Sequence, residues 1–168
     1  MDPRAQKKPR GSAKDRALML LAVRWRSRQE VRRRLRLAGF EREEVEQALD
    51  ALQNAGLIED RRFAKEMVRD QVGRRLVGNR SIRANLLQKG VAREVVDEAL
   101  EEAGEEAERA EELARQGAGR LAGLQPEAAY RRLYGLLLRR GYGPGVARDA
   151  SRAALRGLMP GSTVDQEP

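Results

Sequence analysis

Between Arg24 and Arg36 the chain carries seven arginines against one acid, Glu30. A guanidinium is a planar fork of donors that grips a phosphate or a carboxylate through two bonds at once. Arg28, Arg32 and Arg36 follow at i, i+4 and i+8, so a helix would set them on one face. Val31, Leu35 and Ala38 take the other face. The chemistry this pattern offers is recognition of an anion. The candidate binding set is Arg24, Arg26, Arg28, Arg32, Arg36, Arg74, Arg75, Arg80, Arg83 and Lys89, with changes of Arg28, Arg32 and Arg36 to Ala expected to weaken binding and leave thermal stability intact. The plainer reading is a solvated face paired with acids of the same module. Exposed pairs contribute only about 0.2–1 kcal/mol each, and the chain keeps a net charge of +8 from 34 Lys+Arg and 26 Asp+Glu.

Other chemistry finds little support. The 168 residues include no histidine and no cysteine, which removes the commonest general base, the thiolate nucleophile and the usual transition-metal ligands. The glutamates of 101–112 read as a solvated i, i+4 surface. GAGRLAG (117–123) follows a helical stripe and lacks the Lys-Ser/Thr of a phosphate loop, so it reads as a linker. No catalytic residue, metal or cofactor is expected. The absence of a signal-like segment, of a bilayer-spanning run and of cysteine places the expectation in the cytoplasm.

The elements that must position the arginines are helical. Leu, Ala, Arg and Glu dominate, and no stretch alternates with a period of two. VRRRLRLAGF (31–40), IRANLLQKGV (82–91) and LYGLLLRRGY (133–142) align without gaps at steps of 51 residues. Gly39, Gly90 and Gly141 each follow an apolar stripe, where a helix end calls for a left-handed residue. Phe40, Val91 and Tyr142 come next and are expected to fold back on the finished helix. EREEVEQALDAL (41–52) then matches AREVVDEALEEA (92–103), and GPGVARDASRAA (143–154) is a degenerate third copy. Further helices precede each pair: 14–25, 60–72 starting on an Asp60 cap, and 104–116. Ser27 and Glu30 form a capping box.

The fold class is therefore all-α, with three tandem three-helix repeats at 14–58, 59–103 and 104–158. The tails 1–13 and 159–168 are expected to be disordered. Modules this small must stack on their neighbours, which implies an elongated molecule; a monomer without membrane contact is also expected. Charge sign alternates with the repeat: the first two helices of a module are basic and the last acidic. Trp25 either closes the apolar face of its helix or stacks on a base, and the first reading is preferred. Phe63, Tyr130 and Tyr134 read as core.

With RSRQEVRRRL, GLIEDRRFA and RSIRANLLQKGV in hand, the chain resembles the RecX family over about residues 15–157. Members regulate the RecA recombinase. The resemblance implies a curved array of three-helix repeats that lies in the groove of the RecA–DNA filament. It implies restraint of ATP hydrolysis, strand exchange and coprotease action, with single- or double-stranded DNA as a sequence-independent partner and no enzymatic activity. Two alternatives stand beside it: a stand-alone helix-turn-helix-like DNA-binding protein, and an adaptor for an acidic protein.

Overall fold

The structure, a computed structural model, describes residues 11–121 and 123–158. Among these residues lie nine α-helices and one short 3₁₀ turn, Gly119–Leu121. The helices are α1 (Ala13–Val23), α2 (Arg28–Leu37), α3 (Arg42–Asn54), α4 (Asp60–Arg75), α5 (Asn79–Gln88), α6 (Arg93–Glu101), α7 (Glu106–Ala118), α8 (Pro126–Arg139) and α9 (Pro144–Leu158). Apart from residues 11–13, the two expected tails fall outside the described residues.

The repeat is written into the helix boundaries. The middle helices α2, α5 and α8 end at residues 37, 88 and 139, and the closing helices α3, α6 and α9 start at 42, 93 and 144. Both series keep the step of 51. The cause is local. Gly39, Gly90 and Gly141 stand at φ +92°, +76° and +87°, where a side chain would clash with its own backbone. The next amide, of Phe40, Val91 or Tyr142, donates back to the carbonyl of Leu35, Leu86 or Leu137 at 3.3, 3.2 and 3.1 Å. That bond closes the helix end, and the three side chains are buried as the fold-back requires.

Several helix boundaries differ from the sequence reading. Ser12 caps α1, with Asp15 completing the box, so α1 begins at Ala13. It stops at Val23 because Arg24 is extended, and Ser27 with Glu30 opens α2 as expected. Asp60 does not cap its own helix. It is the first residue of α4, and its carboxylate serves α2 instead, as described below. In GAGRLAG, Gly117 and Ala118 still belong to α7.

The chain gathers into two compact units. One holds the residues up to Glu66 together with Leu86–Asp97, and the other holds Met67–Asn85 and the chain from Glu98 onward. The second repeat is thus shared between them. In the first unit the core is Ala13 and Ala17 of α1, Val31 and Leu35 of α2, Phe40, and Val45, Ala48, Leu49 and Leu52 of α3, closed by Ile58. In the second unit Ala110, Leu113 and Ala114 of α7 pack with Leu137, Tyr142, Ala147 and Ala150. Ala118, Ala129, Leu133 and Leu155 form an adjoining cluster. Tyr130 and Tyr134 lie at its edge with stacked rings 5.8 Å apart.

Each unit contains one joint between successive modules, and the two joints use register-equivalent residues. In the first, Ser27 Oγ donates to the Lys89 carbonyl at 2.6 Å. The Arg28 amide donates to Asp60 Oδ1 at 2.8 Å. A Cβ on Gly90 would stand 2.5 Å from Cβ of Gln29. In the second, the Gly78 amide donates to the Arg140 carbonyl at 2.9 Å. The Asn79 amide donates to Glu106 Oε1 at 2.7 Å. A Cβ on Gly141 would stand 2.2 Å from Ser81 Oγ. Positions 27 and 78, and 28 and 79, are one repeat apart. In both joints the positive N-terminal end of a middle helix rests on the carbonyl end of the next one, and the first residue of the following module's opening helix supplies a carboxylate to it.

Candidate anion-binding surfaces

In the first unit the basic helix α2 lies against the acidic helix α3, and that proximity consumes part of the predicted surface. Arg28 donates to Gln53 Oε1 at 2.6 Å, to Glu46 at 3.2 Å and to Asp50 at 2.7 Å. Arg32 grips Glu46 with two bonds, at 2.7 and 3.0 Å. These hydrogen bonds, Arg32's foremost, hold the Glu46 carboxyl below its ordinary range. Arg24 pairs with Glu30 at 2.9 Å. Arg26 is turned inward, 7% exposed, and its Nε donates to the Leu20 carbonyl at 3.0 Å. Of the predicted residues in α1, α2 and the turn between them, Arg36 alone is exposed without an ion pair among the described residues, beside the exposed Leu37, Arg33 and Arg34. Changing Arg28 or Arg32 therefore carries an expected stability cost that the sequence alone did not reveal.

Lys89 belongs to the joint. Its Nζ donates to Glu30 Oε1 at 3.1 Å, across from Arg24. Burial pushes the Glu30 carboxyl up, but the hydrogen bonds and charges of Arg24 and Lys89 outweigh it and hold the group at about 2. A carboxylate depressed in the folded state stabilises fully above the ordinary range near 4.3, and that contribution is lost as pH falls toward 2. Glu30→Gln is expected to lower stability at pH 7 by on the order of 2 kcal/mol and to flatten the stability profile between about pH 5 and 2. Urea titrations across that range check it; a parallel shift with the slope unchanged would contradict the assignment.

Trp25 is half-buried, with the Arg62 guanidinium 4.2 Å above its ring. It lines an apolar hollow of about 580 Å³ with Leu18, Leu21, Ala22 and Leu57.

The second unit carries a further basic surface. Two hollows of about 590 and 570 Å³ share Gly117, Arg120 and Leu136 and so form one trough. Arg131, Arg132 and Arg139 of α8 line one end, and Arg74, Arg75 and Arg140 the other. Among the described residues no carboxylate lines either hollow. Arg74 and Arg75 pair, among the described residues, with Asp70 alone, at 3.8 and 3.9 Å. Arg140 Nη1 donates to the Arg75 carbonyl at 2.7 Å, which ties the two walls. Arg120, Arg131 and Arg132 are exposed and carry no ion pair among the described residues. Of the predicted residues only Arg74 and Arg75 reach this trough; Arg80 is exposed and Arg83 half-buried elsewhere on α5. The five others were missed. The signal was present, since eight cations stand against two acids from Arg115 to Arg152.

Among the described residues no group of acidic side chains is arranged to hold a metal, and no helix is long and apolar enough to cross a membrane. The family models for the first, second and third three-helix domains of RecX match residues 13–52, 60–100 and 104–150. "Regulatory protein RecX" of Amycolatopsis mediterranei is 37% identical over 154 residues, covering 90% of this chain and 88% of that protein. The chain belongs to the RecX family. The RecX regulatory protein of Mycolicibacterium smegmatis is 38% identical, covering 88% of this chain and 80% of its own. A crystal structure of RecX from Lactobacillus salivarius shares the fold at a TM-score of 0.74 and 22% identity, over 84% of this chain and 94% of that one. A second, titled regulatory protein RecX, aligns at 0.72 and 26% identity over 83% and 70%. The third RecX domain includes the trough-lining residues from Leu113 to Arg140.

Proposed function

We propose that this RecX-family protein regulates the RecA recombinase, binding in the groove of the RecA–DNA filament and limiting ATP hydrolysis, strand exchange and coprotease activity. The observation that carries the reading is the recurrence of unpaired, exposed arginines in both units, Arg33, Arg34 and Arg36 in one and Arg120, Arg131 and Arg132 in the other, within a chain related along its length to named regulatory proteins. Guanidinium groups suit DNA phosphate and acidic protein surface alike. Regulation of this kind needs no covalent chemistry: a bound protein opposes the subunit motions that accompany nucleotide turnover. Linked modules raise affinity through effective concentration.

The test is the DNA-dependent ATPase of the cognate RecA. Substoichiometric protein is expected to slow it, with the Arg33→Ala, Arg34→Ala, Arg36→Ala triple variant less effective at unchanged thermal stability. No inhibition at large molar excess would end the reading. The helix-turn-helix alternative is weaker on geometry. The N-terminus of α2 is covered by Lys89 and Asp60, and α3 begins with the exposed Glu43 and Glu44, which a phosphate-lined groove repels. A selection from random duplexes that returned a recurring motif would restore it.

A further inference from the structure

The trough of the second unit has two chemistries in one place. Its walls are arginines. Its floor is aliphatic, with Leu76, Val77, Leu121 and Leu136 all partly open to solvent. No aromatic side chain lines either hollow. Along α8, Ala128, Arg132, Leu136 and Arg139 succeed one another on one face, so apolar and cationic groups alternate down the trough.

Duplex DNA would meet the arginines with phosphates and leave the floor wet. Single-stranded bases stack best on aromatic faces, which are absent here. An amphipathic helix satisfies both parts: its aliphatic stripe covers the floor and its flanking carboxylates meet guanidinium forks on both walls. We infer that this trough is a docking groove for an acidic amphipathic helix of a protein partner. The unspent guanidinium groups of Arg120, Arg131 and Arg132 supply the charge complementarity. The tie from Arg140 to the Arg75 carbonyl at 2.7 Å fixes the spacing of the walls before the partner arrives, so little ordering cost remains.

The probe is a fluorescein-labelled synthetic helix of about twenty residues, with leucines at i, i+3, i+4 and i+7 and glutamates elsewhere. Its controls are a scrambled peptide of the same composition and a single-stranded oligothymidylate. By anisotropy with the full chain, the amphipathic peptide is expected to bind about tenfold tighter than the scrambled one. The double variant Arg131→Glu, Arg132→Glu is expected to lose at least about tenfold in affinity for it. Both residues are exposed and free of internal bonds, so the fold should survive, which a thermal melt checks. Leu136→Gln should weaken the peptide and leave oligothymidylate binding unchanged. Equal binding of the scrambled peptide overturns the proposal, because charge alone would explain it. Loss of oligothymidylate but not peptide in the double variant reassigns the trough to nucleic acid. A dimer in sedimentation that the double variant dissolves reassigns it to a second copy of the chain. The probe contains neither recombinase nor DNA, so its failure leaves the regulatory reading untouched.

Discussion

Gly78→Ala is expected to cost about 3 kcal/mol or more, although the change adds one methyl group. The added Cβ would stand 2.3 Å from the Gly141 carbonyl carbon and 2.4 Å from the Gly141 oxygen and the Tyr142 nitrogen. All three are backbone atoms, so no rotamer change relieves the clash. The turn has no slack to offer. Leu76 already sits at φ +46°, a region that bulky residues avoid. Its carbonyl accepts from the Tyr142 hydroxyl at 2.7 Å. Moving Gly78 away would also stretch the hydrogen bond its amide donates to the Arg140 carbonyl. Gly73→Ala is the matched control. Gly73 lies in α4 with nothing within 4 Å of its would-be Cβ, and alanine there should stabilise by about 0.5–1 kcal/mol. Urea midpoints of the two variants should therefore move in opposite directions. Equal shifts would show that the joint yields.

Arg109→Met is expected to destabilise by about 1–3 kcal/mol, the usual cost of taking a charged donor away from its acceptors. Arg109 is 8% exposed. Its Nη1 donates to the carbonyls of Ala103 and Gly104, both at 2.9 Å, and its Nη2 to Asn79 Oδ1 at 2.6 Å. It thus fastens the turn after α6 to the start of α5 from its place on α7. Methionine fills much of the volume and leaves three part-buried oxygens without this donor. Arg109→Lys should recover less than half of the loss, since a single ammonium cannot span the three acceptors with the geometry of a planar fork. Denaturant titration of the three proteins reads this out. Full rescue by lysine would show that charge, not fork geometry, is what the site needs.

Arg109 also marks the boundary of what a linear reading reaches. In the sequence it is the single cation in a run of ten acids from Glu94 to Glu112, which suggests a solvated residue of no account. Its partner Asn79 is thirty positions away. Arg28 and Arg32 are the converse. They stood at the head of the expected binding face, yet Glu46, eighteen and fourteen positions on, takes up both. The trough-lining arginines of α8 lie in the degenerate third repeat, and degeneracy of the apolar pattern says nothing about charge on the other face.

What the sequence determined by itself is what local chemistry enforces. The glycine after each apolar stripe ends a helix because only glycine takes the left-handed turn cheaply, and Ser27 with Glu30 starts one because a side-chain oxygen meets an orphan amide. Those rules act within four or five residues, so the ends of α2, α5 and α8, the starts of α3, α6 and α9, and the all-α class followed from them. Tertiary structure alone decided which cations are spent. Ion pairing and desolvation depend on distance in space, and the docking of α3 on α2, the bonds from α7 to the start of α5 and the tie from Arg140 to the end of α4 bring together groups that the chain keeps far apart.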